Sequence, residues 1–422
     1  MYKFSKYFIM MVTVIVFGCG GGGSSGGGSS DSNHQSSDPS TYSIQGQMLF
    51  NGAPLSGVTV TISAGITEAL GDTTTTDADG NYTFTGMEDG TYTITPSLAG
   101  YAFDPASNTV TVNGSNITAN VDTAFVASLA AGTYNYTINS RPTFMDHDSH
   151  GNMWVVNFDT ASVVKVSPTG DIVDTYVLGT RPQVSLWDIA IDRSTDTAWV
   201  VSSSKVFKLD SDGNVITTYD GSAMNSLVID YMKNIWVSCG ANGTAGMVFK
   251  INSDGSMGST YDIGNGYGPA AMTVDHTNNI WVCNYYNASI SKITQAGVVT
   301  TYSSNCTFPK DIAVDNSGNV WLTSYSDGAI VKIGSNGSHE SSYAVAGACY
   351  LSFDSNDSLF VTCHISGSNI NSVKKFSAAG ILQDTYTLAG TGQVLPIIHI
   401  DGSDNVWVTN PNVVNTITEM VF

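Results

Sequence analysis

Asp311-Ile312-Ala313-Val314-Asp315-Asn316-Ser317-Gly318-Asn319-Val320-Trp321-Leu322-Thr323-Ser324 is the stretch on which the fold turns. It reads as an apolar run, a polar turn of Asn, Ser and Gly, and a second apolar run entered through a tryptophan. Six further copies centre on Trp154, Trp199, Trp236, Trp281, Phe360 and Trp407, and the successive spacings are 45, 37, 45, 40, 39 and 47 residues. A repeat of about forty residues built from short apolar runs and tight turns predicts a β-propeller. A propeller specifies architecture and leaves activity open.

Each repeat divides into four strands. Around Trp321 the inner strand covers Ile312 to Asp315, the second Val320 to Ser324, the third Ala329 to Ile333 and the outer one Ser341 to Val345. The chain ends on Thr416 to Phe422, which matches a third strand with no fourth behind it. Gly132 to Ile138 resembles the outer strands elsewhere, so it is expected to complete the last repeat. Such strand borrowing removes a free edge and closes the ring. The expected fold is therefore all-β, with a seven-bladed propeller over 132–422. The tryptophans are expected to fill the space between blades, where a large ring packs well.

Residues 41–126 form a separate unit. Short alternating runs such as Ser43 to Phe50, Val58 to Ile62 and Thr91 to Thr95 are punctuated by Gly, Asn and Asp, which predicts a small β-sandwich. Gly57-Val58-Thr59-Val60, Thr76-Asp77-Ala78-Asp79-Gly80-Asn81-Tyr82-Thr83-Phe84 and Gly90-Thr91-Tyr92-Thr93-Ile94 resemble the carboxypeptidase regulatory-like domain. That resemblance implies a transthyretin-like sandwich with no catalytic residues, serving as spacer, stabiliser or adhesion module. Asp77 to Asn81 lacks the closing glutamate of a calcium loop and reads as a turn.

The repeats themselves resemble NHL-repeat and streptogramin (virginiamycin B) lyase-like propellers, most closely at Asp315 to Trp321 and Ala329 to Ile333. The lyase relatives typically carry Trp-Phe-Thr-Glu in the second strand. Here the corresponding segments are Trp154 to Asn157, Trp281 to Asn284, Trp321 to Ser324 and Trp407 to Asn410, each without the glutamate. That departure counts against lyase chemistry.

The N-terminus supplies an address. Lys3 and Lys6 precede an apolar run from Tyr7 to Phe17 that is short for a membrane span. Val16-Phe17-Gly18-Cys19 resembles a bacterial lipobox, which implies a signal peptide over 1–18 and lipidation of Cys19. Gly20 lacks the aspartate associated with inner-membrane retention, so the resemblance favours the outer membrane, on its periplasmic or surface side. Residues 19–40 are mostly Gly and Ser, a flexible tether with a reach of about 25 Å.

The whole chain has 15 basic and 35 acidic residues in 422, a formal charge of −20. Such a surface repels nucleic acid and anionic headgroups, which excludes both as partners and leaves the lipid as the sole membrane contact. Beyond Cys19, the cysteines are Cys239, Cys283, Cys306, Cys349 and Cys363. None forms a CxxC pair, so zinc-ribbon, thioredoxin and c-type haem sites are excluded. Cys349 precedes the first strand of its blade and Cys363 ends the second. Antiparallel pairing would bring them together, either as a disulfide or as two small buried thiols.

Two sets of residues are candidates for function. Loops between blades and between second and third strands hold Arg141, Phe158, Arg181, Trp187, Asn284, Tyr285, Tyr286, Lys310, Tyr325, Tyr350 and His364. Aromatics mixed with Asn and Arg suit a protein or carbohydrate partner. The second set is Asp146, His147 and His399, on inner strands of blades that adjoin in a closed ring. Histidines with a carboxylate can hold a divalent metal or exchange protons, as in a lyase or lactonase. No cofactor is otherwise implied. The aspartate that ends each inner strand (Asp148, Asp192, Asp230, Asp275, Asp315, Asp354, Asp401) recurs in every repeat and reads as structural. The primary expectation is a lipid-anchored binding or scaffolding protein, with a metal-dependent enzyme as the alternative.

Overall fold

A computed structural model of the chain describes residues 41–50, 53–64, 72–118, 125–138, 140–240, 243–265, 268–365, 370–388, 395–410 and 415–422. The leader, Cys19 and the Gly/Ser tether lie outside the described residues. Nearly all regular structure is β, as the repeat pattern requires, and one short 3₁₀ turn at Tyr285–Asn287 interrupts it.

The sandwich packs two sheets. One pairs Thr59–Ala64 with Asp72–Thr75 and with Gly90–Ser97, which in turn pairs with Asn108–Val112. The other is built around Tyr42–Phe50. Alternate residues such as Ile44, Met48, Val60, Ile62, Phe84 and Ile94 interdigitate as its core. Two strands go beyond the sequence reading. Tyr101–Asp104 pairs with Phe125–Leu129, and the latter runs parallel to Met48–Phe50. The sandwich therefore extends to Leu129, because Phe125 and Ala127 are buried in its core.

Seven four-stranded antiparallel sheets follow among the described residues. In the first, Pro142–His147, Met153–Asn157, Ser162–Val166 and Ile172–Val177 pair in sequence order. The fifth uses Pro309–Val314, Val320–Ser324, Ala329–Ile333 and His339–Ala344, within a few residues of the repeat reading. In the seventh, Ile398–Ile400, Val406–Asn410 and Thr416–Val421 are joined by Gly132–Thr137, which pairs antiparallel with the last strand. First and last strands of the propeller are thereby held by a ladder of backbone hydrogen bonds.

Packing between blades follows from the tryptophans. Trp154 lies among Leu186, Ile189 and Val200 of the next blade, Trp321 among Leu351 and Val361, and Trp407 beside Met145 and Val155 of the first. A tyrosine from the outer strand stacks on each tryptophan, as Tyr176 does on Trp154 at 5.3 Å and Tyr136 on Trp407 at 5.6 Å. The strand-ending aspartates fix the rings. Asp275 Oδ1 accepts the backbone N–H of Thr277 and Asn279, and Oδ2 accepts the indole N–H of Trp281 at 3.0 Å. Asp148, Asp230, Asp315 and Asp401 bind the indoles of Trp154, Trp236, Trp321 and Trp407 in the same way.

A lysine on the third strand completes each motif. Lys165, Lys208, Lys250, Lys292, Lys332 and Lys375 lie opposite the ring residue of their blade, with Nζ 4.7 to 5.4 Å from its centre. Four of them also reach the strand-ending aspartate, at 3.0 to 4.0 Å. The seventh blade breaks the rule. Glu419 occupies that position opposite Trp407.

Of the two readings of Cys349 and Cys363, a disulfide or two small buried thiols, the structure has the thiols, and all five described cysteines are free. Ala348 stands opposite Cys363, and a register shift follows between Ala348 and Leu351. Cys349 is thus one residue out of the pairing a cross-strand disulfide needs. Burial pushes both thiols up, to about 12 for Cys349 and about 11 for Cys363. They remain protonated and unreactive.

Candidate functional site: two ends of the propeller axis

The inner strands begin at one end of the axis and finish at the other, and the two ends differ in chemistry. At the starting end lies a cavity of about 750 Å³. Its wall includes Phe144, Trp187, Met224, Tyr285, Tyr286, Lys310 and Tyr350. These side chains are brought together because loops of successive blades converge on one opening. Tyr285 and Tyr286 meet edge to face at 5.0 Å, and Phe308 leans on Tyr285 at 5.2 Å. Phe144 and Tyr350 form a second edge-to-face pair at 5.9 Å. Trp187 and Tyr286 are substantially exposed, at 39 % and 47 %.

The rim next to Trp187 carries two arginines. The Arg181 and Arg141 guanidinium carbons lie 3.6 and 4.1 Å from the centre of the Phe158 ring, and Phe158 sits 5.7 Å from Trp187. Arg141 also pairs with Asp159 at 3.3 Å.

Eight of the eleven loop candidates therefore gather at this funnel or its rim, and three do not. Asn284 is the last residue of a strand and fully buried, where its amide donates to Ser289 and Ser291. His364 is buried too, with Nδ1 2.8 Å from the Asn371 amide oxygen, and Tyr325 stacks on it. These three support the blade edges. Phe144 is the reverse case. It lies on an inner strand, so a search confined to loops passes over it.

At the far end of the strands, Asp146, His147 and His399 do meet, with their ligand atoms within 4.8 Å of one another. His147 Nδ1 is 2.8 Å from His399 Nε2, and His399 Nε2 is 3.3 Å from Asp146 Oδ1. A fourth residue decides what they can do. Arg193, from the turn of the second blade, places Nη2 against Asp146 Oδ1 and donates from Nε to His147 Nε2 at 3.0 Å. The backbone N–H of Gly402 also donates to His147 Nε2, at 3.1 Å. Asp146 further accepts the N–H of His147 and of Ile191, each at 2.8 Å. His147 Nε2 thus faces two N–H donors, whereas Nδ1 faces His399 Nε2 at 2.8 Å and Arg193 Nη2 at 3.1 Å.

The electrostatics agree. Burial, then the neighbouring His399 and Arg193, hold His147 down to about 4, and burial and Arg193 hold His399 down to about 3. Burial pushes the Asp146 carboxyl up, and the Arg193 guanidinium opposes it. A divalent ion fits this set poorly. The carboxylate already bears a guanidinium, and the imidazole lone pairs already accept N–H groups. Arg193 has a sequence signal. It follows a strand-ending aspartate, where the other blades place Ser149, Tyr231, His276, Asn316, Ser355 and Gly402.

Two further acids lie on the inner strands, Asp188 buried and Asp311 half-buried. Asp188 Oδ2 accepts from Ser226 and the N–H of Leu227, and Asp311 Oδ2 accepts the N–H of Leu351 at 2.9 Å. Burial raises them to about 7 and about 6. Together with the Asp146–Ile191 bond, these are struts from one inner strand to the next.

The family model of the carboxypeptidase regulatory-like domain matches residues 43–125. No curated protein matches the chain in sequence. Among solved structures, a streptogramin B lyase is similar over 69 % of this chain and 97 % of its own, with a TM-score of 0.60 and 20 % identity. Virginiamycin B lyase from Staphylococcus aureus is similar over 69 % of this chain and 100 % of its own, with a TM-score of 0.59 and 18 % identity. A catalytically inactive variant of the Staphylococcus aureus enzyme with quinupristin gives a TM-score of 0.60 at 17 % identity. At that identity the likeness is one of fold. The chain thus joins a carboxypeptidase regulatory-like domain to a β-propeller of the fold seen in streptogramin B lyases.

Proposed function

We propose that this chain is a binding protein, and that the aromatic funnel of its propeller takes an apolar or aromatic portion of a protein or carbohydrate partner. One observation carries the reading. Rings from several blades, with Trp187 and Tyr286 exposed and Tyr285 and Tyr350 half-buried, converge on a single cavity of about 750 Å³. In this reading the sandwich is a spacer, and a lipidated Cys19 with its Gly/Ser tether holds the propeller at the outer membrane. Palmitate labelling that disappears in Cys19→Ser supports the anchor, and labelling that persists refutes it.

Binding is tested on glycan and peptide arrays. Signal from the wild type that falls at least tenfold in a Tyr285→Ala/Tyr286→Ala double variant fits the funnel, since rings at the centre of a contact carry most of its energy. Signal unchanged in that variant contradicts it.

A metal-dependent enzyme, whether a lyase as in the structural relatives' names or a lactonase, is the weaker reading. The funnel wall includes tyrosines and one lysine, without a histidine or carboxylate among its described lining residues. The histidines lie at the other end, engaged by Arg193. Metal analysis separates the two readings. Stoichiometric metal that is lost in His399→Ala would overturn the binding-only account.

A further inference from the structure

We propose that the portion of the partner that enters the funnel has an aromatic or apolar body and one carboxylate, and that the carboxylate pairs with Lys310. The inference rests on the funnel reading and specifies the chemistry of its occupant.

Lys310 is the only charged residue among the described residues that line the cavity. The stretches of propeller outside the described residues (139, 241–242, 266–267, 366–369, 389–394 and 411–414) contain no charged residue that would change this. An ammonium in an apolar wall loses hydration, and such groups are normally paired. Elsewhere this chain obeys that rule. Lys165, Lys292, Lys332 and Lys375 reach a strand-ending aspartate, while Lys205 and Lys233 pair with Asp220 and Asp192. Among the described residues, no carboxylate lies within 4.0 Å of Lys310 Nζ, which rests 4.9 Å from the centre of the Tyr350 ring and has the Tyr350 hydroxyl as its hydrogen-bond partner.

The adjacent acid does not fill the role. Asp311 turns its Oδ2 to the N–H of Leu351 as an inter-blade strut. Burial works to lower the Lys310 pKa, and Tyr350, Cys349 and Asp311 more than reverse it, so the ammonium stays charged. Charge on the rim has the same sign. Arg181 lies over Phe158 and makes no ion pair among the described residues. In a chain of net −20, cations without counter-ions at the mouth of an aromatic funnel form a local field that draws in an anion. The Phe144–Tyr350 pair beside Lys310 supplies the ring contact for the apolar body.

The test uses 2-naphthoate and 2-naphthamide, which share a ring system and differ in charge, each titrated calorimetrically against the purified chain. The naphthoate is expected to bind about tenfold more tightly, the scale of one charge-assisted hydrogen bond. Lys310→Met should erase that preference while leaving naphthamide affinity unchanged, which shows that the funnel is intact, and Lys310→Arg should retain it. Equal affinities in the wild type, or a preference that survives in Lys310→Met, overturns the carboxylate and leaves the funnel standing. If neither compound binds the wild type, the funnel reading itself fails.

Discussion

The two ends of the propeller axis are built by the same inner strands and differ in how their polar groups are engaged. At the far end, Asp146, His147 and His399 form a cluster that resembles a reactive site by residue type. Each ligand atom there already has a partner in Arg193, Gly402, Ile191 or a neighbouring imidazole. At the funnel, side chains of less obvious chemistry have room beside them, and Lys310 has no carboxylate within 4.0 Å among the described residues. Residue type nominates a site, whereas incomplete partnering marks one that can take a ligand. Changes to the far end and the blade cores should therefore cost stability and spare binding, and changes at the funnel should do the reverse.

The largest effect is expected in the blade motif. Asp275→Ala leaves the Trp281 indole, Asn279 and Lys292 without their shared acceptor, and a buried ion pair cut on one side costs about 3–5 kcal/mol. Chemical denaturation measures the loss, with naphthamide affinity unchanged under native conditions. The pH dependence has a definite sign. Burial works to raise the Asp275 carboxyl, and bonds from Asn279, Thr277 and Trp281 hold it well below its usual value. Its contribution is present above the unfolded pKa near 3.8 and is lost as the pH falls through the folded value.

Arg193→Met comes next, at about 2 kcal/mol, below the range for fully buried pairs because the Arg193 side chain is 44 % exposed. A variant that instead gains stoichiometric zinc without losing stability would reverse the reading of this cluster.

Glu419→Gln probes the exceptional blade. Burial raises the Glu419 carboxyl from 4.5 to about 8, and its Oε2 accepts the Tyr136 hydroxyl from the closing strand at 2.8 Å. The folded state therefore holds a proton that the unfolded state releases near pH 4.5. Stability from this group is complete below that pH, declines as the pH rises toward about 8, and is level beyond. Glu419→Gln should match the wild type in acid and exceed it increasingly up to about pH 8. A constant difference in melting temperature across that range would contradict it.

The smallest stability effect belongs to the funnel. Tyr286→Ala should shift unfolding by less than about 0.5 kcal/mol, as exposed positions do, while weakening naphthamide binding. A large loss of stability would place Tyr286 in the scaffold instead.

The regularities of the fold were open to sequence reading, because a period of apolar runs and turns reports which backbone pairs with which. The closing strand at Gly132 was recognisable for the same reason, through its likeness to Asp174 to Leu178 and Asp384 to Leu388. Side-chain partnering was less accessible. Asn284 looks like a loop residue until the strand is seen to include it, and His364 reads as exposed until Asn371 is placed beside it. Cys349 and Cys363 differ from a bonded pair by one residue of register, which a shift after Ala348 decides. Glu419 could have been found as the departure from a third-strand lysine that the other six blades carry, and Arg193 as the one arginine at a position where the other blades place Ser, Tyr, His, Asn or Gly. What they contact depends on ring closure, which brings residues some 250 positions apart into reach, as with His147 and His399.

The most direct measurement is hydrogen exchange of the wild type with and without saturating 2-naphthamide. Slowed exchange is expected in segments 142–145, 224–226, 268–272 and 285–288 around the funnel, with 147–151 and 401–405 at the far end unchanged. Protection centred on 147–151 and 401–405 would contradict the assignment of binding to the funnel.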